Sequence, residues 1–144
     1  MAGLGRLSER SVYQRFLSPK PRLSTSELRY LTEVDFIDHY AVVATLAGSA
    51  ELLAGVGRWV RDPEHPEQAE VAVVVADDLQ GRGIGKALGD ELARTAREHG
   101  IERFTATMLP TNRAAHRLLE RIAGKLQVTR AYGVDETTAP LAAA

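Results

Sequence analysis

Residues Glu70 to Ala76 read Glu-Val-Ala-Val-Val-Val-Ala, an apolar run without the polar alternation of a half-exposed strand. It predicts a central strand covered on both faces. Directly after it come Asp77-Asp78-Leu79-Gln80-Gly81-Arg82-Gly83-Ile84-Gly85 and then a helical pattern in which Ile84, Leu88, Leu92 and Ala96 fall four apart on one face. Gly100 follows His99 where a helix-ending glycine belongs. Buried strand, glycine turn and amphipathic helix in direct succession require a layered fold in which the helix packs back onto a sheet.

The rest of the chain supplies that sheet. Val12, Phe16 and Leu17 stand at helical spacing over Ser8–Leu17, and Ser24-Thr25-Ser26-Glu27 opens a second short helix through Leu31. His39–Leu46 and Glu51–Arg61 are rich in β-branched and aromatic residues around Gly48-Ser49-Ala50, which predicts a hairpin. Arg103–Leu109 returns to strand, Pro110 stops it, and Asn112 to Ile122 forms a helix on Ala115, Leu118, Leu119 and Ile122. Leu126–Tyr132 and Val134–Thr138 pair around Gly133. The expected order is α-α-β-β-β-α-β-α-β-β, an α/β chain with a mixed sheet. Residues 1–136 read as a single domain and 137–144, ending Thr-Thr-Ala-Pro-Leu-Ala-Ala-Ala, as a flexible tail.

Composition narrows the function. Eighteen basic against nineteen acidic residues give a formal charge of -1, so nothing global favours nucleic acid or a membrane as partner. The absence of cysteine removes disulfides, thiolate metal sites and cysteine nucleophiles. His39, His65, His99 and His116 lack metal-ligand spacing, so no metal is expected, although His39 is a candidate for lining a substrate site. Ser49 lacks the second glycine of a nucleophile elbow. No apolar run reaches the ~18 residues of a membrane span and no leader pattern is visible, so a cytoplasmic location is expected.

Glycines at alternate positions before a strong helix let a ligand approach the backbone where the first turn offers unpaired N–H groups, an arrangement that binds phosphate. A triphosphate-binding loop would need glycine at Gln80 and a hydroxyl at Ala87, and a dinucleotide fingerprint would need different glycine spacing. Neither fits. The plain alternative is a turn that only packs helix against strand.

Gln80-Gly81-Arg82-Gly83-Ile84-Gly85 resembles the Q/R-x-x-G-x-G/A signature of the GCN5-related N-acetyltransferases (GNAT). Asn112-Arg113-Ala114-Ala115 resembles the opening of that family's next helix, and Arg58–Asp77 is similar to bacterial protein lysine acetyltransferases of the actinobacterial type. The resemblance spans roughly Leu7 to Gly124. It implies the GNAT fold and acetyl-CoA as co-substrate, with Gln80, Gly81, Arg82, Gly83, Ile84 and Gly85 around the diphosphate and the strand positions Ala72, Val73 and Val74 along the pantetheine arm. Asn112 is the implied donor to that arm or to the leaving sulfur, its ordinary alternative being a helix cap. The family's first strand has no counterpart before Ser8, which leaves open a sheet lacking it. The cyclic-nucleotide domain that actinobacterial enzymes often carry is not expected within this chain.

Acetyl transfer needs a neutral amine, and lysine, with a reference pKa near 10.4, is protonated at neutral pH. Glu70 matches the family's general base, its alternative being a solvated strand end. Many GNAT proteins place a tyrosine acid where this chain has Leu119; Tyr132 lies further along, and the acid is left unassigned. The resemblance therefore implies transfer to a primary amine, preferentially a protein lysine, an acyl-CoA synthetase being one candidate partner. Small-molecule amines, and coenzyme A binding without turnover, stand as alternatives. Oligomeric state is not readable.

Overall fold

The apolar run forms strand β4 (Gln68–Ala76). The computed structural model describes residues 18–20, 38–46, 49–76 and 83–141. The other strands are β1 (Ser18–Lys20), β2 (His39–Leu46), β3 (Ser49–Arg61), β5 (Arg103–Met108), β6 (Gln127–Ala131) and β7 (Val134–Pro140). Helix α1 covers Ile84–Glu98 and α2 covers Arg113–Ile122. The strands run in the order β2-β3-β4-β5-β7-β6, with β1 pairing β4 off this path. Among the described residues, only the β4–β5 and β1–β4 pairings are parallel. The helices expected at Ser8–Leu17 and from Ser24 through Leu31 lie outside the described residues.

Alternation along β3 and β4 decides the two faces. Gly55, Gly57 and Trp59 stand opposite Val75, Val73 and Val71, and α1 packs on this side. Trp59 is fully buried, and its indole N–H donates to Thr95 Oγ1 at 3.0 Å. Val56, Arg58 and Val60 stand opposite Val74, Ala72 and Glu70 on the second face. Val56, Ala72 and Val74 are buried there as well, as an uninterrupted apolar strand requires.

Gly55 is glycine for space. A Cβ on it would lie 2.8 Å from the Val74 carbonyl oxygen and 3.1 Å from Leu88 Cδ1, so α1 can seat on the sheet only without one. Arg61 then locks the end of that helix: it donates to Asp38 Oδ1 at 2.9 Å, to the Pro66 carbonyl at 2.6 Å and to the His99 carbonyl at 2.8 Å. A cation on the final carbonyls also complements the helix dipole.

The C-terminal hairpin departs from expectation at its end. Ala139 and Pro140, beyond the strand expected at Val134–Thr138 and read as part of a flexible tail, complete β7. Alternation is the reason: Thr137 and Ala139 are buried, and the Thr137 hydroxyl donates to the Ala106 carbonyl at 2.8 Å. Ala142–Ala144 lie outside the described residues. The second strand of the first hairpin also begins earlier than expected, since Ser49 and Ala50 belong to β3. Among the described residues, no strand pairs the outer edge of β2.

Asp135, buried on β7, ties α2 to this hairpin. Arg130 Nε donates to it at 2.8 Å, and His116 Nε2 lies 2.9 Å from its other oxygen. The Arg130 hydrogen bond first, and His116 second, hold its carboxyl below the usual aspartate range. The unfolded chain therefore takes up that proton at a higher pH than the folded one, so the stabilisation is present above the ordinary aspartate value and is lost as pH falls through the folded value.

Gly55→Ala is expected to lower stability by about 1–3 kcal/mol in urea unfolding, because a backbone carbonyl cannot yield to the new methyl. Asp135→Asn is expected to unfold at lower urea than the wild type at pH 7, with the difference narrowing below about pH 4. A constant difference between pH 7 and pH 3 contradicts the assignment.

Candidate active site

The site begins where two strands part. β4 and β5 pair over three residues only, Gln68↔Arg103, Ala69↔Phe104 and Glu70↔Thr105. β5 then continues along β7, while β4 stays on β3 through seven pairs. Beyond Glu70 the β5-side edge of β4 is open at Val71–Val73 among the described residues, until β1 takes it up at Val74–Ala76. An open strand edge presents main-chain donors and acceptors at a fixed repeat, a template for an amide-bearing ligand.

Glu70 stands at the fork. Its side chain is open to solvent but set between two cavities, and partial loss of hydration pushes its carboxyl above the ordinary glutamate range. Arg58, diagonally opposite on β3, pulls the other way with the smaller effect. One cavity, of about 260 Å³, is lined by Arg58, Val60, Arg61, Asp62, Pro63, Glu70 and Thr105. The other, of about 390 Å³, extends from Glu70 over β5, β7 and β6. A carboxyl whose pKa is raised toward neutrality is a better proton acceptor at working pH than an ordinary one.

At the far end of β4 stands the start of α1. Gly83, its N-cap, has φ of 81°, a backbone conformation that favours glycine, and among the described residues a Cβ there would meet nothing within 4 Å. No side chain caps this helix and its first turn holds no acidic residue. Its exposed N–H groups, with Lys86 on the same turn, suit an anion.

The expected site residues divide as follows. Ala72 and Val73 lie on the open edge, whereas Val74 is in register with Ser18 of β1, so β1 covers the third expected position. Gly83, Ile84 and Gly85 form the helix start. Gln80, Gly81 and Arg82 lie outside the described residues. Asn112 is the N-cap of α2, its Oδ1 accepting from the Ala115 N–H at 3.1 Å, the ordinary use of that residue. Leu119 is fully buried. Tyr132 is fully exposed at the β6–β7 turn, six residues along from Thr138, the residue in line with Glu70 and Thr105, hence ~20 Å away. His39 shares the row of Glu70, two strands off. Sequence reading missed Arg58 and the threonines Thr105, Thr107, Thr129 and Thr138. For Thr105 and Thr107 the signal was the polar alternation in Arg103-Phe104-Thr105-Ala106-Thr107-Met108, whose even members are buried.

Comparison with known proteins gives the same family that the sequence resembles. Residues 10–124 match the acetyltransferase (GNAT) family. The chain belongs to this family. It is 37% identical over 130 residues to Acetyltransferase Pat of Mycolicibacterium smegmatis, covering 90% of this chain and 38% of that protein. Acetyltransferase PA5475 of Pseudomonas aeruginosa is 32% identical over 77% of this chain and 60% of its own length. The GNAT domain of S. lividans PAT superposes with a TM-score of 0.69 at 32% identity, covering 92% of this chain and 78% of that one. The chain thus spans about two-fifths of the mycobacterial relative and three-fifths of the Pseudomonas one. GNAT proteins use acetyl-CoA as co-substrate, and the open edge and anion-receptive helix start fit its amide arm and its diphosphate.

Gly83→Ala is expected to lower stability by about 1 kcal/mol, and Gly83→Asn by less, since asparagine tolerates the left-handed region. Equal losses in thermal unfolding would show that space, not backbone conformation, selects glycine here.

Proposed function

We propose that the chain is an N-acetyltransferase that moves acetyl from acetyl-CoA to a primary amine, preferentially a protein lysine side chain, with Glu70 as general base. The observation that supports this most is the position of Glu70 at the fork between β4 and β5, where the open edge begins. The acceptor preference rests on the likeness of Arg58–Asp77 to bacterial protein lysine acetyltransferases. An acyl-CoA synthetase is one partner of suitable kind.

The division of work follows from the residues. The main chain of Val71–Val73 aligns the amide arm, and the first turn of α1, with Gly83, Ile84 and Gly85, meets the diphosphate; Gln80, Gly81 and Arg82 are assigned to the same role. Glu70 accepts a proton from the acceptor ammonium and leaves a neutral, nucleophilic amine at the fork. Acetyl-CoA, when bound, supplies the acyl carbon that this amine attacks and a thiol leaving group. A thiol of ordinary pKa, about 8.5, leaves readily as thiolate, so the buried Leu119 at the usual acid position is no obstacle. Asn112, already a helix cap, is assigned a supporting contact to the arm.

Glu70→Gln is expected to keep coenzyme A affinity in calorimetry and to lower kcat near neutral pH about a hundredfold or more. Arg58→Gln is expected to move the acid limb of the pH–rate profile to higher pH, because it removes the positive charge that opposes desolvation of Glu70. A Glu70→Gln variant with an unchanged profile refutes the base. Labelling of free amines to the exclusion of protein lysines refutes the preferred acceptor.

A further inference from the structure

The larger cavity beside Glu70 has a chemical character that the transfer reaction by itself does not require. Two cross-strand rows floor it. Glu70, Thr105, Thr138 and Gln127 are in register across β4, β5, β7 and β6, and two residues further on Thr107, Glu136 and Thr129 are in register across β5, β7 and β6. Residues directly opposite on neighbouring strands point to the same face. All of these side chains line the one cavity, of about 390 Å³. Among the described residues its titratable members are two carboxylates, and none of the described residues lining it is basic.

The smaller cavity on the other side of Glu70 has the opposite balance, with Arg58 and Arg61 against Asp62 and the shared Glu70. A cation approaching Glu70 therefore meets a favourable field on one side and two guanidiniums on the other. Glu136 is exposed, and among the described residues its side chain forms no ion pair. Two strand spacings and two residues of rise separate it from Glu70, about 12 Å between Cα atoms. That is too far for one ammonium to contact both main chains, yet short enough for two glutamate side chains to flank one path. The threonine hydroxyls between them both donate and accept, so they can solvate an ammonium at the outer end and a neutral amine at the inner one.

We propose that this cavity is the acceptor site, taking a cationic primary amine on an alkyl chain, and that Glu136 is the specificity-determining residue that draws the ammonium in before Glu70 deprotonates it. The inference rests on the reading of Glu70 as base, but its test requires no turnover. The uniformly labelled full chain is titrated by amide NMR with Nα-acetyl-lysine N-methylamide and with the norleucine counterpart, which has the same chain length and no charge. The lysine probe is expected to shift the amides of Thr107, Thr129 and Glu136, and the norleucine probe to leave them in place. Glu136→Gln, at an exposed position that does not threaten folding, is expected to weaken the lysine probe roughly five- to tenfold, with Glu136→Asp restoring most of the affinity. An unchanged Kd in Glu136→Gln, equal shifts with norleucine, shifts confined to Arg58–Pro63, or no shift at these residues each overturn the proposal. Absence of thiol release with every amine would instead remove the transferase reading, leaving the titration to decide the site independently.

Discussion

Everything at this site depends on β4 keeping its place when β5 leaves it. A parallel partner normally continues along the whole strand, and its departure after three residue pairs exposes main-chain groups that burial would make costly. β4 tolerates this because it is held elsewhere: by seven pairs to β3, and by Val71, Val73 and Val75 facing α1. Burial of a valine contributes about 1.5–3 kcal/mol, so these three together outweigh the few ladder bonds lost on the open side, each worth about 1 kcal/mol net. The strand is anchored by its faces, and its edge is left for a ligand.

The same economy of elements links the edge to the helix. Gly55 lets α1 lie close on β3, and Gly83 turns the chain so that the helix begins near the end of β4. The open edge and the uncapped first turn therefore belong to elements packed on one another. On the other side of the fork, Asp135 and the Thr137 hydroxyl hold β7 against α2 and β5, which fixes the threonine-lined floor beside Glu70.

Local pattern made much of this legible. β4 follows from its valines, α1 from apolar residues four apart, and Gly100 adopts φ of 79° after the helix as a C-terminal glycine should. Glu70 was found through family likeness, because a strand-end glutamate alone reads as solvated. What stayed hidden was non-local. Arg58 meets Glu70 only through the β3–β4 register, and Thr107, Glu136 and Thr129 form a row only once two other pairings are set. The tail was misjudged because its composition looks unstructured while its alternation, Thr137 and Ala139 inward, marks a strand. The capping role of Asn112 was the common alternative for that residue type, and the geometry shows it.

Hydrogen exchange on the full chain with and without coenzyme A tests the central claim most directly. Slower exchange at the amides of Val71–Val73 and at the first turn of α1, from Ile84 to Lys86, is the result predicted by an open strand edge that binds the amide arm and a helix start that holds the diphosphate. Saturating coenzyme A that binds yet leaves both segments exchanging at their free rates would contradict it.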